Sequence, residues 1–402
     1  MKYRKTVLWA WVIAVFFICS GCATVRHPVP QELVESARIG NMSEIRIIVG
    51  MKNTELQKNL LESIKQEDPK HFPFKLGGTK FYPILTISGG AANGAYGAGL
   101  LQGWSQEGSR PVFKVVTGVS TGAIIAPFAF LGKEYDAGLE EYYTTTSTKD
   151  IFKMKGFFAI LFGNSFVCTK PLQANIARMY DDKFLEKIAS EHRRGRRLFV
   201  GTVNLDAQRF VIWDMGAIAC RGDTALFRKV ILASASIPVM FPPTYFQVEA
   251  GGQQYDEMHV DGGTMTQVFA LYSLLENMEG AVKSMGLDAS KIKSKLYIIR
   301  NGYVTPRYKK VDDGLAAIAG QAMDATVNAQ GIGDLYRIYV FAQERGNDYN
   351  LAFIPSDYKS QAKEEFDPQE MRRLFDRGYA DAVKGYPWYK APPSKMNLET
   401  AE

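Results

Sequence analysis

Three short glycine-flanked segments carry side chains able to do covalent chemistry. Gly118–Val119–Ser120–Thr121–Gly122 is a G-x-S-x-G motif, set between the apolar run Val112–Thr117 and a helical pattern from Ala123 to Leu131. On a sharp strand-to-helix turn a serine presents its hydroxyl as a nucleophile at the carboxyl end of a sheet, and Gly118 and Gly122 leave room for that turn. Ser88–Gly89–Gly90–Ala91–Ala92–Asn93–Gly94–Ala95 also joins a strand pattern to a helical one. Such a turn points several backbone N–H groups into one concavity, suited to a phosphate or to the oxyanion of a tetrahedral intermediate. Neither Gly-x-Gly-x-x-Gly nor a closing Lys-Ser/Thr is present, which favours the oxyanion. In His259–Val260–Asp261–Gly262–Gly263, Asp261 could take the serine proton directly, or His259 could take it within a Ser–His–Asp triad. Residues two apart on a strand share a face, so either side chain could reach the same pocket. No CxxC pair or His/Cys cluster occurs and the four histidines are scattered, so no metal and no other cofactor is expected.

These residues need a rigid frame, and the hydrophobic pattern supplies one. Short apolar runs at Tyr82–Ile87, Val112–Thr117, Arg197–Val203, Arg209–Trp213, Lys295–Arg300, Arg337–Phe341 and Asn350–Ile354 read as strands. Helical spacing recurs at about 95–104, 134–144, 171–188, 223–233, 266–279, 314–330 and 367–384, the last opening on Asp367 and Pro368. Strands alternating with helices predict an α/β fold with a mostly parallel central sheet and helices on both faces. Between them, Phe152, Phe157, Phe158, Ile160, Leu161 and Phe162 form an apolar cluster, either a lid or lining for acyl chains or ordinary core. The run His192–Arg193–Arg194–Gly195–Arg196–Arg197 reads as a solvated loop, with contact to anionic headgroups as the alternative.

Of 402 residues 46% are hydrophobic and 22% charged, which excludes disorder and coiled coil as whole-chain descriptions. Half of the formal +6 sits on Lys2, Arg4 and Lys5, too little elsewhere for a nucleic-acid partner. Those three charges precede the apolar run Val7–Ile18, which falls short of the roughly 20 residues that span a bilayer, and then Ser20–Gly21–Cys22. This resembles a bacterial lipoprotein signal, with Cys19 in place of the usual leucine three residues before the cysteine. The resemblance implies a signal peptide over 1–21, lipidation at Cys22 and anchoring to a membrane. It also implies a bacterial cell-envelope location, with Ala23 favouring the outer membrane facing the periplasm. Cys168 and Cys220 would remain as a disulfide pair or as two buried thiols.

Taken together the three motifs resemble the patatin-like phospholipase family, as does Ala233–Ser234–Ala235–Ser236–Ile237–Pro238–Val239–Met240–Phe241–Pro242–Pro243 ahead of Asp261. The resemblance spans about 82–280. It implies a lipid acyl hydrolase with Ser120 as nucleophile, Asp261 as its base, no catalytic histidine and the amides of Gly89, Gly90 and Ala91 as the oxyanion hole. The family loop reads Gly-Gly-Gly-x-Arg/Lys-Gly, whereas Ala91 and Asn93 stand here, which removes a basic side chain that could hold a phosphate headgroup. The expected organisation is an extension over 22–80, a catalytic domain over 81–280 and a continuation of the α/β fold over 281–402. The substrate is expected to be a lipid or another acyl ester. Two other functions fit the same residues: a non-catalytic envelope lipoprotein that binds lipid or protein, and an esterase or thioesterase for soluble substrates.

Overall fold

Nine strands form one central sheet in the computed structural model, which describes residues 26–393 except 41, 43–44, 52–53, 68–70, 73–77, 79, 162 and 272–288. The signal segment and Cys22 lie outside the described residues. The chain enters through β1 (Arg46–Ile48) and α1 (Thr54–Lys65), then builds β2 (Lys80–Ile87), α2 (Gly94–Glu107), β3 (Val115–Val119), α3 (Thr121–Leu131) and α4 (Asp136–Thr145). A small antiparallel hairpin follows, β4 (Lys153–Met154) and β5 (Val167–Cys168), with α5 (Phe157–Leu161) between its strands. Next come α6 (Lys170–Met179), α7 (Asp182–Arg193), β6 (Arg197–Asn204), β7 (Arg209–Asp214), α8 (Met215–Cys220) and α9 (Thr224–Ser234). The chain then forms β8 (Thr244–Ala250), β9 (Gln253–Asp261), β10 (Ile292–Arg300), α10 (Leu315–Glu344), β11 (Asp348–Phe353) and α11 (Pro368–Val383).

Strands β6, β3, β2, β10 and β11 are parallel neighbours in that order, with β7 and β1 antiparallel beyond β6. Alternation along β6 serves two cores: Leu198 and Val200 pack with α2, α3 and α9, whereas Phe199 and Val203 pack on the face covered by α10. The α/β architecture with helices on both faces is therefore as expected.

Three expectations change. Arg337–Phe341 is not a strand but part of the 30-residue α10. Its Arg-Ile-Tyr-Val-Phe composition favours a strand, yet Leu335, Ile338 and Ala342 are buried at helical spacing against the sheet while Val340 is exposed, so the longer period prevails. The pattern at 171–188 is two helices, because Asp181 starts the second by accepting from the Phe184 amide. Residues 266–271 are not helical, and the rest of that expected helix lies outside the described residues. The β8–β9 hairpin is absent from the strands that the apolar runs predict. It turns at Gly251–Gly252, both at positive φ, the pair that a tight two-residue turn requires.

The segment before β2 is less an extension than a sheet edge. β1 pairs with β7, Arg26 bridges Asp206 and Asp256, and Arg46 forms a buried ion pair with Glu257. In the basic run, Arg196 and Arg197 are buried rather than solvated. Arg196 donates to the carbonyls of Phe113 and Phe130, and Arg197 to those of His192 and Asn59. Cys168 is half-buried and Cys220 exposed, and the two are unpaired.

The last helix positions the site from behind. Gly99 and Gly103 of α2 admit the backbone of α11 so closely that a Cβ on either would overlap the carbonyl of Phe375 or Tyr379. Asp367 caps α11 by accepting from the amides of Gln369 and Glu370. Since α2 begins directly after the glycine-rich turn, this packing sets where that turn stands. Gly99→Val should therefore cost about 1–3 kcal/mol in a urea melt, because the obstacle is backbone and cannot rotate away; an unchanged midpoint would contradict the close approach.

Candidate active site

The meeting of the two chemical residues follows from how β6 shares its partners. β3 pairs with β6 as far as Val119 opposite Gly201, and β9 takes over at the next residue, with Asp261 opposite Thr202. The end of β9 thus abuts the end of β3 along one strand. Ser120, the residue after Val119, is thereby brought beside Asp261, near enough for its hydroxyl to favour the charged form of the Asp261 carboxyl.

Ser120 has φ 56° and ψ −124°, a left-handed conformation that disfavours any side chain. Three features hold it there. A Cβ on Gly118 would overlap the Gly122 carbonyl, and one on Gly122 would overlap the Ile87 carbonyl, so both glycines are required by close approach. The Ser120 amide donates to Ser234 Oγ at 3.0 Å, and that hydroxyl donates to the Gly201 carbonyl at 2.7 Å. The Asp261 amide donates to the Ser236 carbonyl at 2.9 Å. The end of α9 and the turn after it therefore anchor the backbone of both residues. Ser234 had not been assigned a role; the only sequence signal for it was its place in the 233–243 segment.

Asp261 is buried, and its carboxyl is pushed up to about 7. Desolvation is the main cause, partly opposed by the neighbouring Ser120 hydroxyl and by a hydrogen bond from the Gly263 amide at 2.7 Å. No cation contributes to that balance. His259 is placed elsewhere. Its Nδ1 is 2.9 Å from Thr202 Oγ1 and its Nε2 is 3.3 Å from Glu257, with Trp213 and Phe246 packed on the ring. Both nitrogens are engaged in this buried cluster, and burial lowers the imidazole's affinity for a proton.

The glycine-rich turn differs from expectation at one donor. The Gly89 amide is already committed to the Gln267 carbonyl at 3.1 Å. The Gly90 and Ala91 amides donate to no group among the described residues, and Ala91 lines the cavity beside Ser120. Ala91 has φ 48°, so the substitution of the family's third glycine keeps a left-handed backbone with a methyl on it. Gly90, at φ 155°, lies so close to Asn301 that a Cβ would overlap that residue's carbonyl. Asn301, directly after β10, donates its amide to Ser88 Oγ at 2.8 Å and its Nδ2 to the Ser88 carbonyl at 2.9 Å. Gln267 is held in turn by Asp334 of α10, which accepts from its amide at 2.7 Å. Neither Asn301 nor Gln267 had been singled out, since nothing local in their sequence marks them.

With this geometry established, comparison with known proteins places the domain. Residues 85–273 match the family model described as patatin-like phospholipase. They form a patatin-like phospholipase domain. No match was found among curated proteins. Among solved structures, the chain is similar to VipD from Legionella pneumophila at 13% identity and a TM-score of 0.33, covering 77% of this chain and 70% of that one.

Two cavities flank the glycine-rich turn of the patatin-like domain. One is an apolar slot of about 30 Å³ beside Ser120 and Ala91, walled by Ile124, Ile237, Phe241 and Met371. The other is a polar cleft of about 540 Å³ that reaches Gly90 and Asn93 and mixes Arg307, Lys309 and Lys363 with carboxylates that include Asp324, Glu364 and Glu365. Met371 lines both, so the turn stands between an apolar and a charged compartment.

The strain at the two left-handed residues is testable as stability. Ser120→Gly and Ala91→Gly should each raise the denaturation midpoint by the equivalent of about 1–2 kcal/mol, whereas Ser120→Ala should not. A Ser120→Ala variant as stable as Ser120→Gly would remove the case for strain at the elbow.

Proposed function

We propose that this chain is a serine lipid acyl hydrolase working through a Ser120–Asp261 dyad. The patatin-like domain supports lipid acyl hydrolysis in general. The observation that carries the finer reading is Ser120, directly after β3, set beside a buried carboxyl whose proton affinity is raised to about 7. Asp261 accepts the hydroxyl proton as Ser120 Oγ attacks the acyl carbonyl carbon. The resulting oxyanion accepts hydrogen bonds from the Gly90 and Ala91 amides. As the tetrahedral intermediate collapses, Asp261 returns the proton to the leaving alcohol and an acyl-serine remains. Water then attacks the acyl-serine, losing its proton to Asp261. Collapse of this second intermediate releases the fatty acid and restores Ser120.

The slot walled by Ile237 and Phe241 suits the first carbons of an acyl chain. The cleft offers room for the alcohol side, but Arg307, Lys309 and Lys363 share it with Asp324, Glu364, Glu365, Asp367 and Glu370, and Asn93 replaces the family's basic residue, so it is not built for a phosphate headgroup. The N-terminal pattern supports export, lipidation at Cys22 and a place on the periplasmic face of an outer membrane.

Activity on a medium-chain ester should fall as pH drops below about 7, with unit slope, because protonated Asp261 cannot accept the serine proton. Ser120→Ala should abolish turnover. A profile flat from pH 5 to 8, or turnover surviving in Ser120→Ala, would exclude this dyad.

A further inference from the structure

Phe157 and Phe158 are 73% and 74% exposed, so the aromatic cluster flagged in the sequence is not core at its centre. They sit on α5 at the tip of the β4–β5 hairpin, edge to face at 5.6 Å. Around them Met154, Phe166, Val239 and Met240 are also exposed. The hairpin is tied to the loop after α9 by the Phe166 amide on the Val239 carbonyl at 3.1 Å and the Val167 amide on the Met240 carbonyl at 3.2 Å. Val239 has φ 70°, an unfavourable conformation for a β-branched residue, and its side chain is 57% exposed. Its neighbours Ile237 and Phe241 wall the slot at Ser120. The exposed apolar surface thus continues along one short loop into the cavity beside the nucleophile.

The charges on the hairpin itself are of one sign, although Asp150 precedes it and the segment with Glu364 and Glu365 packs near its base through Phe366 and Phe152. Residues 151–170 carry Lys153, Lys155 and Lys170 and no Asp or Glu, and residues 235–243 carry no charge. Large exposed apolar side chains on a hairpin that carries Lys153 and Lys155 and no carboxylate of its own match an anionic lipid surface, where rings enter the acyl boundary and ammonium groups meet headgroups. We propose that this corner is the face by which the protein docks on an anionic bilayer, delivering an acyl chain to the slot. Its purpose rests on the acyl-hydrolase reading, but its test does not.

The test uses the full chain with Ser120→Ala and, in turn, Phe158→Trp or Val340→Trp, the latter on the exposed side of α10. Tryptophan emission is followed with vesicles of brominated phosphatidylcholine and phosphatidylglycerol. Docking predicts quenching of the added signal at 158 and none at 340. It also predicts that Lys153→Gln/Lys155→Gln weakens binding to these vesicles on the order of tenfold, and not to vesicles of phosphatidylcholine alone. Equal quenching at both positions, or none at 158, overturns the proposal. So does a change at 158 that follows protein concentration without lipid, which would assign the patch to a second copy of the chain. In the active chain, Phe157→Ser/Phe158→Ser should lower vesicle hydrolysis at least about tenfold and spare a soluble short-chain ester. Loss of quenching with ester turnover intact would sink the docking face alone; absent turnover with quenching intact would sink the hydrolase alone.

Discussion

One strand carries two partners end to end, and the site depends on that arrangement. β6 uses consecutive residues, Gly201 and Thr202, to pair with the last residue of β3 and the last residue of β9. Residues along a strand are about 3.3 Å apart, so the ends of β3 and β9 have little freedom to separate. Ser120 and Asp261 are the residues at that junction. The junction itself is crowded: Gly262 lies so near the Gly201 carbonyl that a Cβ would meet it at 2.5 Å, and Ser234 binds the same carbonyl. The elbow, the Asp-Gly-Gly turn and the segment after α9 are thus three sides of one backbone contact.

That geometry decides the electrostatics. A carboxylate enclosed at a junction of strands loses water and is only partly compensated by the Gly263 amide and the neighbouring Ser120 hydroxyl, so its proton affinity rises toward neutrality. An aspartate in water would be too weak a base for a serine hydroxyl; a carboxyl held near neutrality suits the proposed role. His259, two residues earlier on the same strand, is bonded to Thr202 and Glu257, and Glu257 is in turn paired with Arg46 of β1. The N-terminal strand helps keep that histidine away from Ser120.

The parts of this account legible in the sequence are those set by local backbone geometry. Gly118, Gly122 and Gly90 stand where a side chain cannot, and such positions show as motifs. The parallel sheet was legible because β2, β3 and β6 are buried on both faces and read as continuous apolar runs. Donors and braces supplied across the fold were not legible. The Gln267 carbonyl that occupies the Gly89 amide, Asn301 under the turn and Ser234 behind the elbow are polar residues whose partners lie far away in sequence. The error over 337–341 has the same origin, since only packing against the sheet distinguishes a helix there from a strand.

The central claim is that Ser120 is activated by Asp261 without help from histidine. The most direct measurement is the rate of covalent labelling by a fluorophosphonate in folded wild type, Asp261→Asn and His259→Gln. The account predicts that Asp261→Asn slows labelling by about 10²–10⁴-fold and that His259→Gln labels near the wild-type rate. Equal rates for wild type and Asp261→Asn, or a collapse confined to His259→Gln, would contradict it.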